Sequence, residues 1–90
     1  MFYFVYVLLS MKDNKMYIGF STDVNRRLKE HNNGKNRSTF NRRPLKLIYY
    51  EAHTNKSAAL KRENYFKTTK GKTMLRIILK DVLSELYPGT

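Results

Sequence analysis

The stretch NKMYIGFSTDVNRRLKEHNNG, residues 14–34, decides the fold, because it joins the end of a strand to a complete short helix. Thr22 or Asp23 can accept hydrogen bonds from the first free backbone N–H groups of a helix, so either residue is a suitable N-cap. Gly34 tolerates the left-handed backbone that commonly ends a helix. The stretch therefore predicts the strand MYIGF followed by a helix that begins near Val24.

This helix carries polar side chains where its core face should be. A helix buries the side chains at i, i+3, i+4 and i+7, and counted from Val24 those positions hold Val24, Arg27, Leu28 and His31. Arg27 and His31 lie one turn apart on one face. The structural alternative is that Arg27 extends its charged end into solvent and His31 is bonded at the helix end.

Composition limits the classes of protein to which the chain can belong. Its 90 residues are enough for one domain, residues 1–90. The absence of cysteine excludes a disulfide scaffold, thiolate metal ligands and cysteine catalysis, and it is typical of a cytoplasmic protein. The apolar opening MFYFVYVLLS lacks the basic start of a signal peptide, so we interpret it as a buried strand.

The net charge of +11 indicates the kind of partner. Eighteen Lys and Arg against seven Asp and Glu attract polyanions, so we expect nucleic acid, and DNA in particular. A membrane is not expected, because no helix combines a strongly apolar face with a Lys-rich one. We expect a monomer without a small-molecule cofactor. The simpler alternative is a basic surface that only keeps the protein in solution.

The predicted elements follow the order β-β-α-β-α-α. They are strands over 2–9, 16–20 and 45–53, and helices from Val24 to Gly34, from near 54–57 to about 69, and from Gly71 to the YPG at 87–89. The third helix carries Leu75, Ile78, Leu79, Val82 and Leu86 at helical spacing, and Gly71 breaks the chain before it. We expect an α+β fold: a small three-stranded, mainly antiparallel sheet flanked by helices, with the first strand at its centre.

Two tyrosines share one face of the first hairpin. With Asp13-Asn14 as a two-residue turn, Tyr6 and Tyr17 project on the same side, because side chains alternate along each strand. Gly19 lies beside them and would leave room for a ligand. Ordinary sheet packing explains either tyrosine when it is taken alone.

A carboxylate interrupts the apolar stripe of the second helix. The positions of that stripe in SAALKRENYFK are Ala59, Leu60, Glu63, Phe66 and Lys67. An ionised Glu63 there is costly unless it is paired or binds a metal ion, and Ala59 leaves space over it. The alternative is a buried salt bridge between Glu63 and Arg27.

Two phenols, a guanidinium, an imidazole and a carboxylate thus occupy inward positions on four elements. Phosphodiester hydrolysis requires a base for water, a cation for the charge on phosphate and an anchor for a metal ion. Other chemistries fit less well. The chain has no HExxH or CxxC zinc pattern, no Gly-rich phosphate loop and no nucleophile elbow, and Glu63 has no evident carboxylate partner for a two-metal site.

The segments FVYVLLS, MYIGFSTDVNRRLKEH and RPLKLIYYEAHTNKSAALKRENYFK resemble the GIY-YIG nuclease superfamily. The resemblance covers about residues 2–80, which it implies are the core of the domain. They are most similar to its small standalone members related to the excision-repair protein UvrC. YIG is intact at residues 17–19, whereas the first triplet is Phe4-Val5-Tyr6, which keeps the tyrosine and loses the glycine. Many members have an asparagine near the end of the domain; none follows Asn64 here, so that role is empty or filled otherwise.

The resemblance implies a metal-dependent endonuclease that hydrolyses DNA, in repair or processing. By position, Tyr6 and Tyr17 match the motif tyrosines, Arg27 and His31 match an arginine and a histidine of the first helix, and Glu63 matches the glutamate that binds one Mg²⁺ or Mn²⁺. Either tyrosine could activate water, with His31 orienting it or relaying its proton. The implied fold is a three-stranded sheet with flanking helices.

Several further residues are candidates for contacts to nucleic acid: Gly19, Lys35, Arg37, Arg42, Arg43 and Lys67. Each of the five lysines and arginines in this list, taken singly, is also explained as a solvated charge. Two other functions stay open. One is a nucleic-acid-binding module that keeps the fold and has lost efficient chemistry, and the other is an adaptor whose charge recruits an acidic protein.

Overall fold

The computed structural model describes residues 1–87 and confirms the α+β class. In chain order the elements are β1 (Tyr3–Ser10), β2 (Met16–Ser21), α1 (Val24–Asn32), a short 3-10 helix (Phe40–Arg42), β3 (Leu45–His53), α2 (Lys56–Phe66), α3 (Thr69–Ile78) and α4 (Lys80–Leu86). The strands form one antiparallel sheet in the order β2-β1-β3. The apolar first strand is therefore central, as predicted. Pro88 and Gly89, predicted to help end the last helix, lie outside the described residues.

The hairpin between β1 and β2 turns over four residues, so the two-residue turn at Asp13-Asn14 is wrong. Ser10 and Lys15 close the loop through a backbone bond of 3.0 Å. Inside it, the Ser10 hydroxyl accepts bonds from the backbone N–H groups of Lys12 and Asp13, and the Asp13 carboxylate accepts one from Lys15. These side chains satisfy the loop backbone, which makes the wider turn favourable.

The observed register still places both tyrosines on one face. Tyr6 lies opposite Gly19 and Leu8 lies opposite Tyr17. This pairing is displaced by two positions from the predicted one, and such a shift preserves the face of every side chain. The prediction that Tyr6 and Tyr17 share a face is confirmed.

Helices cover both faces of the sheet. On one face, α2, α3 and α4 cover a core whose buried members are Val5, Val7, Ile18, Ala59, Phe66, Leu75 and Leu79. On the other face, α1 covers a smaller cluster of Tyr6, Leu8 and Leu45, completed by Tyr17, Val24, Leu28 and Leu47. No helix among residues 1–87 is long and apolar enough to cross a membrane.

The predicted break at Gly71 is wrong, because Gly71 lies inside α3. It is buried where α3 meets the end of α2, and a side chain there would overlap the backbone carbonyl of Tyr65. Glycine is thus used for close helix contact. The chain breaks instead at Leu79, which splits the predicted third helix into α3 and α4. Leu79 is buried, whereas Ile78 is exposed, contrary to its place in the predicted stripe.

A polar cluster ties β3 to α2. The Glu51 carboxylate accepts bonds from Arg62 at 2.9 and 3.0 Å and from the Tyr49 hydroxyl at 2.7 Å. Burial, together with the bond to Glu51, raises the pKa of Tyr49 to about 12. The guanidinium of Arg62 also lies over the Phe66 ring, 4.3 Å from its centre. These contacts hold α2, and therefore Glu63, in place against the sheet.

Candidate active site

Tyr6 extends across the edge strand because Gly19 has no side chain. A Cβ at Gly19 would overlap the ring and hydroxyl of Tyr6. The expectation that Gly19 leaves room for a ligand is therefore wrong: the phenol of Tyr6 fills that space. Gly19 acts on the site by setting the position of this phenol.

His31 lies at the centre of a buried chain of hydrogen bonds. Its Nε2 is 3.0 Å from the Tyr6 hydroxyl, and its Nδ1 is 2.7 Å from the Thr39 hydroxyl. All three residues are buried. The Tyr17 ring contacts the His31 ring edge to face, with 5.1 Å between the centres. The imidazole is therefore held on three sides.

Burial sets the protonation states of this chain. Burial, together with the nearby Arg27 charge, lowers the pKa of His31, so the ring is neutral near pH 7. Burial raises the pKa of Tyr6, while the Arg27 guanidinium acts in the opposite direction. Tyr6 is consequently a protonated phenol beside a neutral imidazole.

Arg27 places a positive charge beside the phenol. Its side chain is 33% exposed, and it donates a bond of 3.0 Å to the carboxylate of Glu30. Burial alone would lower the pKa of Arg27, but its interactions with Tyr6 and Glu30 raise it. The guanidinium stays charged at every pH of interest, with one side open to solvent.

Glu63 approaches the same phenol from α2. Its side chain is 16% exposed, its carboxylate accepts a bond of 3.0 Å from Lys67, and its charge contributes to the raised pKa of Tyr6. The proposed Glu63–Arg27 salt bridge is absent from the ion pairs of residues 1–87, where Arg27 binds Glu30 instead. Leu60, predicted in the same stripe, is 37% exposed.

A single carboxylate defines what kind of metal ion the site can hold. Residues 1–87 contain no group of three or more His, Asp or Glu side chains placed to bind a metal ion. Mg²⁺ is often held by one or two carboxylates, with water and substrate phosphate as its other ligands. Glu63 fits such a site once Lys67, whose side chain is 51% exposed, moves away.

Besides Gly19 and Lys67, the residues predicted to contact phosphate fall into two groups. Lys35 and Arg37 are exposed and close to α1 in sequence. Arg42 and Arg43 are engaged within the protein: Arg42 donates to the Asp13 carboxylate at 2.9 Å, and Arg43 lies over the Phe40 ring at 4.2 Å.

Thr39 is the site residue that sequence reasoning missed. It lies in the basic loop between α1 and β3, where nothing in the local pattern distinguishes one hydroxyl from its neighbours. Only the fold shows that the loop turns back and buries Thr39 against His31.

Comparisons with known proteins identify the family of the chain. The sequence model of the GIY-YIG catalytic domain matches residues 2–76. UPF0213 proteins of Staphylococcus epidermidis and Staphylococcus aureus are 44% and 42% identical to the chain over 77 residues, which cover 84% of this chain and 93% of each relative. The solution NMR structure of a UPF0213 protein from Bacillus halodurans has a TM-score of 0.54 and 34% identity, covering 87% of this chain and 85% of that one.

Fold and site together define a small α+β domain in which two tyrosines of an antiparallel sheet meet a histidine from α1. The chain belongs to the GIY-YIG catalytic domain family. The resemblance inferred from YIG, Arg27 and Glu63 is thereby confirmed at the level of the family.

Proposed function

We propose that the protein is a divalent-metal-dependent endonuclease that hydrolyses phosphodiester bonds in DNA. One observation carries the proposal: Arg27 on α1 and Glu63 on α2 come from opposite faces of the sheet, and the phenol of Tyr6, which extends past Gly19 at the edge strand, lies near both. A cation and a carboxylate beside a buried phenol suit phosphoryl chemistry, in which charge develops on the phosphate oxygens.

Arg27 and Glu63 have complementary roles in this proposal. Arg27, open to solvent on one side, binds the scissile phosphate and neutralises the charge that develops there. Glu63 would hold Mg²⁺ or Mn²⁺, whose charge, when the ion is bound, stabilises the phosphate and the leaving oxygen. Lys67 releases Glu63 for this purpose and is then free to contact phosphate.

Tyr17 and Tyr6 divide the remaining tasks. Tyr17 is partly exposed and can reach a water molecule, whereas Tyr6 is buried and already bonded to His31. We assign water activation to Tyr17 and the positioning of the imidazole to Tyr6. In this proposal the positive charge of the site assists Tyr17 in taking a proton from water.

Thr39 orients His31 in this scheme. When Nδ1–H donates to the Thr39 hydroxyl, Nε2 is left to accept the hydrogen of Tyr6. The opposite tautomer also satisfies both bonds, but it makes Nε2 a donor. We propose that the Nδ1–H tautomer is the active one, because it makes the imidazole an acceptor on the side of the site.

A nicking experiment tests the function. Supercoiled plasmid and branched DNA are incubated with the protein, with and without Mn²⁺ or Mg²⁺, alongside Tyr17→Phe and the exposed control Tyr50→Phe. Metal-dependent nicking by the wild type and by Tyr50→Phe, lost in Tyr17→Phe, supports the proposal. Salt-sensitive binding without nicking under any condition identifies a binding module, and the absence of DNA binding favours the adaptor.

Binding itself should be electrostatic. We propose that the protein acts on DNA as a monomer in the cytoplasm, and the +11 charge supports DNA as the partner. If the protein neutralises about five phosphates, log K should fall against log salt with a slope of about −4 to −5 on duplex DNA. Affinity that is insensitive to salt would contradict an electrostatic interface.

A further inference from the structure

We infer that a groove between the hairpin tip and α3 is a second binding site for the nucleic-acid backbone, outside the catalytic cleft; the inference rests on the proposed function. The groove has a volume of about 330 Å³. It is lined by Leu9, Asn14, Lys15, Met16, Arg42, Lys72, Arg76 and Leu83. Four of these residues are cations, and none is acidic.

The cations converge from separate elements. Lys15 comes from the hairpin, while Lys72 and Arg76 lie one turn apart on α3. All three are exposed, and none takes part in an ion pair within residues 1–87. These three like charges carry no ion pair and repel one another, which favours an anion as the occupant, while the fourth cation, Arg42, is paired with Asp13.

Arg42 gives the groove a fixed wall. It donates to the Asp13 carboxylate at 2.9 Å and to the backbone carbonyl of Lys15 at 3.0 Å. These bonds hold the guanidinium beside the hairpin, so this charge is already ordered before a ligand binds. The other groove cations keep free ends that can adjust to phosphates.

The groove extends along the helical face. A second hollow of about 480 Å³ shares Asn14, Arg76 and Leu83 with it and adds Lys80. Lys72 and Arg76 line the first hollow, and Arg76 and Lys80 line the second, so the three cations form a row across the break at Leu79. A row of cations matches the repeating phosphates of a nucleic-acid strand better than a single small anion.

The groove and the candidate active site adjoin the same edge strand, β2, on its opposite faces. Met16 lines the groove on the face covered by α3 and α4, whereas the next residue, Tyr17, lies on the face covered by α1. From Gly19 to Lys15 the strand advances about 13 Å at 3.3 Å per residue. A nucleic acid bound at the cleft would therefore pass around the edge of the sheet to place phosphates in the groove.

The test compares a variant that lacks two positive charges inside the groove with a variant that lacks two positive charges outside it. The double variant Lys72→Gln, Arg76→Gln is compared with Lys61→Gln, Lys70→Gln, whose lysines are exposed and line neither hollow. Both variants lose the same charge. Binding of a labelled DNA duplex is measured by anisotropy over a range of salt. We expect the slope of log K against log salt to be flatter by about 2 for the groove variant, and a clearly smaller change for the control.

A third variant and a competitor complete the experiment. Lys15→Gln removes a groove cation from the hairpin, so it should weaken binding even if the helix variant proves unstable in urea. If the groove variants bind DNA like the control variant, the inference is overturned. The proposed function is unaffected by that result as long as the wild type still binds DNA. Polyglutamate that displaces the duplex more effectively than unlabelled DNA at equal charge identifies an acidic-protein surface and overturns the inference too. A wild type that binds no DNA refutes both.

Discussion

His31 shows how a strongly basic protein can keep a neutral base inside a cationic cleft. Burial disfavours the charged imidazole, and the guanidinium of Arg27 disfavours it further. The hydroxyls of Tyr6 and Thr39 satisfy both ring nitrogens, so the neutral ring loses no hydrogen bond. A few neighbouring side chains thus keep His31 in the neutral state that the proposed chemistry requires.

Arg27→Ala should cripple cleavage and preserve the fold. The side chain is partly exposed, and its ion pair with Glu30 contributes little to stability. Loss of a group that stabilises transition-state charge typically costs about 2.7 to 4 kcal/mol, or roughly 10²- to 10³-fold in rate. Plasmid nicking and the urea midpoint are compared with those of Arg26→Ala, an exposed neighbour. A variant that unfolds, or one that nicks at the wild-type rate, contradicts the role.

Glu63→Gln should abolish nicking while DNA binding is retained or tightened. The amide keeps the shape of the side chain but removes the charge that would hold the metal ion and that opposes a phosphate. The urea midpoint should change little, because the partner Lys67 is largely exposed. The control is Glu85→Gln on α4. Unchanged nicking would remove Glu63 from the site, and a collapsed midpoint would make its role structural.

Thr39→Val and Thr39→Ser separate positioning from packing. Valine fills the same space without a hydroxyl, leaving a buried ring nitrogen of His31 unsatisfied at a cost of about 1 to 3 kcal/mol. We expect Thr39→Val to lose cleavage and to shift the pH–rate profile, and Thr39→Ser to restore both. Nitrogen chemical shifts of His31 report its tautomer directly. If the valine variant has the wild-type profile and tautomer, Thr39 does not act through His31.

The spacing of apolar side chains predicted most of the strands and helices, because that spacing is set by the residues of one element alone. Periods of two and of 3.6 residues identified the strands and the helix faces. The hairpin turn and Gly71 were misassigned for the opposite reason. The turn depends on the Ser10 and Asp13 side chains bonding back to the loop, and Gly71 depends on the approach of a neighbouring helix. Thr39 and the groove cations meet their neighbours only in the folded chain.

Gly71→Ala tests whether close helix contact explains that glycine. In an ordinary helix interior alanine is favoured over glycine by about 1 kcal/mol. Here the added methyl would overlap the Tyr65 carbonyl, so α3 must shift away from α2. We expect the free energy of unfolding to fall by about 1 to 3 kcal/mol. Lys70→Ala in the same helix is the control. A stabilised Gly71→Ala variant would contradict the contact.

The whole molecule should lose stability as pH falls from about 7 to 5. The pKa of His31 is lowered in the folded state, so the unfolded chain, with a pKa of about 6.5, binds more protons in that range. The free energy of unfolding therefore decreases as pH falls. The carboxyls whose pKa is lowered, Asp13 and Glu51, act only at lower pH. The urea midpoints of the wild type and of His31→Gln should converge as pH falls from about 7 to 5. Midpoints that differ by the same amount at every pH would contradict the lowered pKa of His31.

The pair of tyrosines beside His31 makes the site observable by light. The chain contains seven tyrosines and no tryptophan, so no indole signal masks the phenols. A phenolate absorbs at longer wavelength than a phenol, and the phenol of Tyr6 lies where the charge of Arg27 acts on its ionisation. Ultraviolet difference spectra, with Tyr6→Phe and Tyr17→Phe as references, can therefore follow metal and DNA entering the cleft without any attached label.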